Sequence, residues 1–348
     1  MRAAIFRPES GIAVETVPEP VLKPGEALIE IDACGVCGSD KQVLSGEPAP
    51  LGTMVPVILG HEIAGRIIAL GDPVDGPPAD FHVGDEVLVF PFISCGTCRY
   101  CEQGRENLCT QQVLVGYQRP GGYAERTVVP TKVLLPKPKN TSPPAAALLV
   151  DAFATPFHAL SEHGGIRETD HVIVIGTGGT GLAGLMLAQA MGARAVGAIT
   201  RRSGASDAAV TAGAKAVWIQ SDERRVAREI RRWSEGGADV VLDTVGSGTS
   251  VEFGLSVVRP GGRLCVIGMG AGAASLPIAK TVRRAVTVTT SFGSTMDDVR
   301  HLIALTESGR LHPERLIGAI LPLERIAEAF LPNALTGRVV ITPGQGQV

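Results

Sequence analysis

Net charge, long apolar runs and repetition are all scarce in this 348-residue sequence. A formal net charge of −3 provides no extended positive field for a phosphate backbone or an anionic membrane, so neither nucleic acid nor a membrane surface is an expected partner. Hydrophobic residues make up 45% of the chain, but Gly, Pro or a charge interrupts every apolar stretch before the roughly 20 residues a membrane span requires. The first residues, MRAAIFRPESGIAVETVPEP, break into Pro and Glu and lack the continuous apolar region of a secretory signal. A soluble, cytoplasmic chain is expected. No repeat, low-complexity segment or charge block interrupts it, and its length predicts two hydrophobic cores rather than one.

Up to about residue 140 short apolar runs (EALIEI, IAGRIIAL, DEVLVF, ERTVVP) alternate with Gly, Pro and Asp, the punctuation of an antiparallel β domain. From His171 the texture changes to a strand, HVIVIG, a Gly turn, a helix, LAGLMLAQAMGA, and a strand, AVGAI. The alternation continues through DVVLDTVG, RLCVIGM and AVTVTTS, which predicts a doubly wound parallel sheet, an α/β fold. In the tail, DDVRHLIALTESGR and ERIAEAFLPNAL read as helices and RVVITP as a last strand. The expected boundaries are 1–154 for a catalytic domain, 155–293 for a dinucleotide-binding domain, and 294–348 for a return to the first.

Gly176-Thr177-Gly178-Gly179-Thr180-Gly181 follows the strand and opens the helix, the context that makes a glycine pattern a dinucleotide site. Gly176 permits the tight turn, Gly178 lets the backbone approach a pyrophosphate, and Gly181 allows helix and strand to pack closely. The helix N-terminus then offers N–H groups and a positive dipole end to phosphate.

Cys95, Cys98, Cys101 and Cys109 fall within fifteen residues. Four thiolates on one short loop can close a tetrahedron around zinc with no open position, which is a structural site rather than a catalytic one. In a reducing compartment this outranks disulfides, and the ferredoxin run that it loosely resembles ends in Cys-Pro, whereas Thr110 follows here. A second, more dispersed set is Cys37 in GVCGSD and His61 in GHE. Cys with His is a partial set for a catalytic zinc, which takes three protein ligands and leaves a position to water or substrate. Spacing leaves the third ligand open.

The order GVCGSD, GHEIAG, a four-Cys lobe with GREN before its last Cys, GGYAE, the Gly-rich turn and DTVG resembles the zinc-containing medium-chain dehydrogenases along the whole chain, with bacterial secondary-alcohol dehydrogenases among them. That resemblance implies a GroES-like, mostly antiparallel β catalytic domain beside a Rossmann domain. It implies two zincs per chain. Cys37, His61 and Asp151 are the implied ligands of the catalytic one; Asp151 stands in Asp-x-x-x-Thr-x-x-His, here Asp151, Thr155 and His158. By the same resemblance Glu62 can approach the metal as ligands exchange, Asp40 hydrogen-bonds the ligating His, and Ser39 hands the substrate proton onward. Thr155, Val245 and Arg338 join the Gly residues as implied cofactor contacts. Many members place a His three residues after the relay hydroxyl; this chain has Gln42, which cannot titrate near neutrality. Phe90, Phe92, Tyr117 and Phe292 could line an apolar pocket, and His163, with the other unmotified histidines, is read as structural or exposed.

Cofactor choice rests on the end of the second cofactor-domain strand. An NAD enzyme needs Asp or Glu there, roughly 20 residues after the glycines, to hold the ribose hydroxyls. That position is Thr200, followed by Arg201 and Arg202. A Thr hydroxyl and two guanidiniums suit a 2′-phosphate, so NADP(H) is expected in preference to NAD(H). The expected activity is hydride transfer between an apolar-leaning alcohol or its ketone or aldehyde and that cofactor, by a homodimer or homotetramer. Two rivals remain: a zinc-free-type enoyl or quinone reductase, which needs neither cluster, and a non-catalytic zinc- and dinucleotide-binding module.

Overall fold

A computed structural model describes residues 1–46, 52–73, 81–162, 165–331 and 337–344; His163 lies outside them. The chain forms two compact units, Met1–Ala152 with Ser294–Val348, and Phe153–Gly293. Among the described residues no helix is long and apolar enough to cross a membrane.

The first unit is built on Glu26–Gly35, a ten-residue strand whose alternate side chains are buried, as a pleated strand with one core face requires. It pairs antiparallel with Glu62–Leu70, Arg126–Pro130 and Arg338–Thr342. Glu86–Val89 and Leu134–Pro136 extend this sheet on one side and Ile317–Pro322 on the other. The antiparallel expectation holds throughout the sheet except where Ile317–Pro322 runs parallel to Arg338–Thr342. Two details of register matter for the site. Gly35 faces both Glu62 and Val340, so the chain just past Gly35 emerges beside the residue preceding Glu62 and beside the start of the Arg338 strand.

The C-terminal segment departs from its expected helix. Leu323–Phe330 is 3₁₀, with Leu323, Ile326 and Ala329 buried. That spacing of three is the 3₁₀ repeat and not the 3.6 of an α-helix. The end of the expected helix, 332–335, lies outside the described residues. Met296–Glu307 is α-helical, with Thr295 and Asp298 forming a capping box.

The second unit is a six-stranded, all-parallel sheet in the order Ala216–Ile219, Ala195–Thr200, His171–Ile175, Ala238–Asp243, Val258–Val266, Thr287–Thr290. This is the 3-2-1-4-5-6 order of dinucleotide-binding folds. Its central strands are apolar on both faces, and Ile173, Ile175, Val241 and Leu264 pack with Ile230 and Phe253 in one core. The strand order reverses between His171–Ile175 and Ala238–Asp243, at the carboxyl end of which open α/β sheets bind ligands.

Candidate metal and dinucleotide sites

The register described above delivers four donors to one place. Cys37 follows Gly35 by two residues, His61 directly precedes the facing strand that Glu62 starts, and Asp151 follows the buried apolar run Ala145–Val150, which reaches it through a short helix and a 3₁₀ turn. One donor atom from each of Cys37, His61, Glu62 and Asp151 lies within 4.8 Å of the others. The Cys37 thiol donates to Asp151 Oδ2 at 3.3 Å, and His61 Nε2 lies 3.5 Å from the same oxygen. Thiol, imidazole and carboxylate converging at this range fit a zinc site with three protein ligands.

Glu62, within the same 4.8 Å, differs from that trio in being ion-paired. Its carboxylate is fully buried and engaged by Arg338 through Nε, at 3.1 Å, and through Nη2 at closer range. Room for it comes from Gly35, where an added Cβ would stand 1.8 Å from Glu62 Oε2. Burial pushes the Glu62 carboxyl up, Arg338 draws it down and Asp151 adds to the rise, for a net value of about 7. At Asp151 burial also works upward, but His61, Arg338 and Cys37 outweigh it and hold the pKa below the usual carboxylate range. Arg338, a candidate cofactor contact, is itself buried and spends Nε and Nη2 on these two carboxylates, with Asp151 Oδ2 at 3.4 Å. The guanidinium thus lies against the candidate metal cluster.

Asp40 organises the other side of His61. It sits at the third position of the helix Gly38–Leu44, and its Oδ2 accepts from the Cys37 backbone N–H at 3.0 Å, as a residue reaching back to a helix start does. His61 Nδ1 is 3.5 Å from Asp40 Oδ1. The hydroxyls of Tyr123 and Tyr117 also reach this carboxylate, at 2.6 Å to Oδ2 and 3.2 Å to Oδ1. Ser39, beside Asp40, accepts from Tyr117 at 2.8 Å. Tyr123 carried no signal of its own in the sequence, and Tyr117 read as a pocket-liner. A buried Tyr needs a partner for its hydroxyl, but only the fold reveals which one. Phe90 and Phe92 are buried against each other with ring centroids 5.5 Å apart and belong to the core.

The lobe cysteines form a separate cluster. All four sulfurs lie within 4.8 Å of one another, with Cys98 to Cys101 at 3.5 Å and Cys95 to Cys101 at 3.9 Å. A tetrahedron of Zn–S bonds near 2.3 Å has sulfur edges of about 3.8 Å, so the set fits zinc closed on four sides. None of the four is in a disulfide. Backbone and hydroxyl hydrogen bonds from Thr97 draw the Cys95 thiol down to about 6, toward the thiolate a metal needs. The lobe is fastened by Glu106, which accepts from the N–H of Met296 at 2.7 Å, at the start of the helix Met296–Glu307.

In the second unit, Gly176 has φ +100°, and an added Cβ would meet Thr244 Oγ1 at 2.5 Å. A Cβ on Gly181 would stand 2.0 Å from the Gly176 carbonyl oxygen, so this glycine permits close turn-on-helix packing. Above Gly178, the N-cap of the helix Gly179–Ala190, there is open space. Val245 lies against Gly176 and donates its N–H to Asp243 at 2.9 Å. Thr155 is in the helix Ala154–Glu162. Thr200 does end its strand, but it is buried and its hydroxyl accepts from Thr177 at 2.8 Å and from the Arg202 backbone at 3.2 Å. It shapes the loop, whereas Arg201 and Arg202 are exposed.

Comparison with known proteins identifies the family. Residues 23–139 match the alcohol dehydrogenase GroES-like domain and residues 179–308 the zinc-binding dehydrogenase family. The chain is 31% identical to an NAD-dependent alcohol dehydrogenase of Sulfurisphaera tokodaii, over 95% of its own length and 96% of the relative's. It is 29% identical to an alcohol dehydrogenase of Geobacillus stearothermophilus, over 98% of each chain. Among solved structures, a Sinorhizobium meliloti 1021 protein of the zinc-binding dehydrogenase type, bound to NADP, superposes with a TM-score of 0.87 at 27% identity, covering 98% of this chain and 99% of that one.

Proposed function

The chain belongs to the GroES-like, zinc-binding dehydrogenase family and is an NAD(P)-dependent alcohol dehydrogenase, and from that premise we propose that it interconverts an apolar-leaning alcohol and its ketone or aldehyde with NADP(H) in preference to NAD(H), using a zinc held by Cys37, His61 and Asp151. The observation that carries this reading is the convergence of those three donors with Glu62, whose carboxylate is ion-paired to Arg338; that pairing supports three protein ligands and a position left to substrate. When bound there, zinc supplies Lewis-acid polarisation of the substrate oxygen.

The chain's own residues do the rest. Asp40 Oδ1 stands 3.5 Å from His61 Nδ1, on the side away from the donor cluster, and a hydrogen bond closing that gap when the ring ligates metal would set its tautomer and basicity. Ser39, on the exposed edge of the same helix turn, takes the proton from an alcohol or returns it to a carbonyl. Gln42, one helix turn on, cannot titrate, so the proton leaves by water or by cofactor hydroxyls. The Gly176–Gly181 turn and the start of the helix Gly179–Ala190 bind the pyrophosphate. Arg201 and Arg202, exposed directly after Thr200, which stands where an NAD enzyme has a carboxylate, pair with the 2′-phosphate. Four sulfurs around the second zinc leave no position for substrate, so Cys95, Cys98, Cys101 and Cys109 stabilise their lobe. A homodimer or homotetramer is the proposed assembly, and the cytoplasm its compartment.

Elemental analysis with steady-state assays tests this. About two zincs per chain and turnover of secondary or primary alcohols are expected, with higher kcat/KM for the phosphorylated cofactor. Changing Arg201 and Arg202 together to Ala should raise KM for NADPH by about tenfold or more, the scale of a charge-assisted hydrogen bond, and leave KM for NADH nearly unchanged. Higher kcat/KM with NADH in the unaltered enzyme would refute the phosphate pocket, and two zincs without turnover would favour the binding module.

A further inference from the structure

The Ser39 hydroxyl has a partner that the proposed reaction does not yet use. The segment Gly121–Tyr123 is stitched to Ile58–Gly60, directly ahead of His61, by backbone hydrogen bonds of 2.7 to 3.0 Å. The turn before it is closed by Gly116 N–H to Arg119 at 2.9 Å and by Tyr117 N–H to Leu114 at 3.2 Å. Tyr117 is thereby fixed against the site, 1% exposed, its ring centroid 5.4 Å from that of His61. Its hydroxyl then reaches both Ser39 Oγ, at 2.8 Å, and Asp40 Oδ1, at 3.2 Å.

A serine hydroxyl without a fixed neighbour samples three staggered wells. Ser39 is half-exposed in the first turn of a seven-residue helix, and nothing in that helix alone selects one well. We propose that Tyr117 is a positioning residue that holds Ser39 in its reactive orientation through the hydroxyl–hydroxyl contact, itself braced on Asp40. The inference rests on Ser39 being the proton carrier of the proposed dehydrogenase. The phenol has one proton and two acceptors. With that proton on Asp40, the stronger charge-assisted acceptor, the phenolic oxygen accepts the Ser39 proton and a Ser39 lone pair faces outward. When the phenol proton turns to Ser39, the serine O–H faces outward instead. The same heavy-atom position therefore hydrogen-bonds either an incoming alcohol or an incoming carbonyl, with no side chain moved; Tyr117 and Asp40 orient the hydroxyl and keep their own protonation states, and the transferred proton is exchanged with water or cofactor hydroxyls. Tyr123 makes the contrast: its hydroxyl contacts the same carboxylate, at 2.6 Å, but the other oxygen, Oδ2, and its other contact is the Gly35 carbonyl.

A double-mutant cycle separates action through Ser39 from general support of the site. Tyr117→Phe should keep the ring packing, the zinc content and the melting temperature of the unaltered enzyme, and lower kcat about tenfold with KM for the dinucleotide unchanged, the scale of one hydrogen bond acting in the transition state. In a Ser39→Ala background the same change should have no further effect, whereas Tyr123→Phe should add its full effect in either background. Additive losses from Tyr117→Phe and Ser39→Ala would overturn the inference, as would crystals of Tyr117→Phe in which Ser39 Oγ keeps its place. If the unaltered enzyme oxidises no alcohol, the dehydrogenase reading fails instead, and the crystallographic position of Ser39 still decides what Tyr117 holds.

Discussion

The two candidate metal clusters in the first unit are built in opposite ways. Cys95, Cys98, Cys101 and Cys109 come from fifteen consecutive residues, and their sulfurs close on one another with backbone N–H groups of Cys95 and Gln111 directed at Cys109 Sγ. Cys37, His61 and Asp151 come from segments separated by up to 114 residues, and a fourth donor, Glu62, is drawn off by an arginine from the far end of the chain. A local loop can saturate a metal by itself. A dispersed site leans on residues that are not among its proposed ligands: Asp40 behind His61, Arg338 on Glu62, and Gly35, whose missing Cβ makes the space.

The contrast is broken most severely by taking a ligand from the open site. Asp151→Ala should reduce the metal content from two zincs to one and lower turnover by about 10⁴-fold or more, the scale of losing an essential member of a catalytic constellation. Dinucleotide binding, measured by fluorescence titration, should survive. If two zincs and a near-normal rate persist, Glu62 and not Asp151 is the third ligand.

At the closed site the opposite division is expected. Cys98→Ser should lower the melting temperature, because structural zinc contributes folding free energy on the order of 10 kcal/mol in small model sites and a lobe anchored elsewhere retains part of it. Glu106 on the N–H of Met296 is such an anchor. The fraction that stays folded should turn over at an unaltered rate per catalytic zinc. An unchanged melting temperature together with lost activity would reverse the roles of the two clusters.

Legibility from sequence follows the same division. The lobe and the Gly176–Gly181 turn are contiguous, so ligand count, spacing and the strand-to-helix context were all readable, and the parallel sheet around the turn follows from its apolar strands. In the open site the residues alone yielded Cys37 and His61; Asp151 came only by resemblance, because what brings it near is the register of three strands and the buried run Ala145–Val150. Tyr117 and Tyr123 were illegible as hydrogen-bond donors for the same reason. Thr200 shows a different limit: its position at the strand end was readable, but its hydroxyl is used by Thr177 and the loop backbone, which a count of residues from the glycines does not reveal. ERIAEAFLPNAL reads as a helix because the apolar spacing of three within Leu323–Phe330, which is 3₁₀, lies close to the helical period.

The smallest of the three effects tests what keeps the open site open. Arg338→Gln leaves the fully buried Glu62 without its cation, and breaking a buried ion pair from one side costs about 3–5 kcal/mol. With Arg338 gone, burial and Asp151 both push the Glu62 carboxyl up, so it stays ionised only by engaging the zinc proposed beside Asp151; the variant should then retain its zinc against chelator longer than the unaltered enzyme while kcat falls, the behaviour of a site moved toward four protein ligands. Glu62→Gln combined with Arg338→Gln removes both charges, and replacing a whole buried pair costs far less than breaking it, so most of the lost stability and the original rate of zinc release should return. If Arg338→Gln alone leaves the melting temperature, kcat and zinc release all unchanged, the guanidinium is not what separates Glu62 from the metal, and the open position must be defended by Gly35 and the sheet register alone.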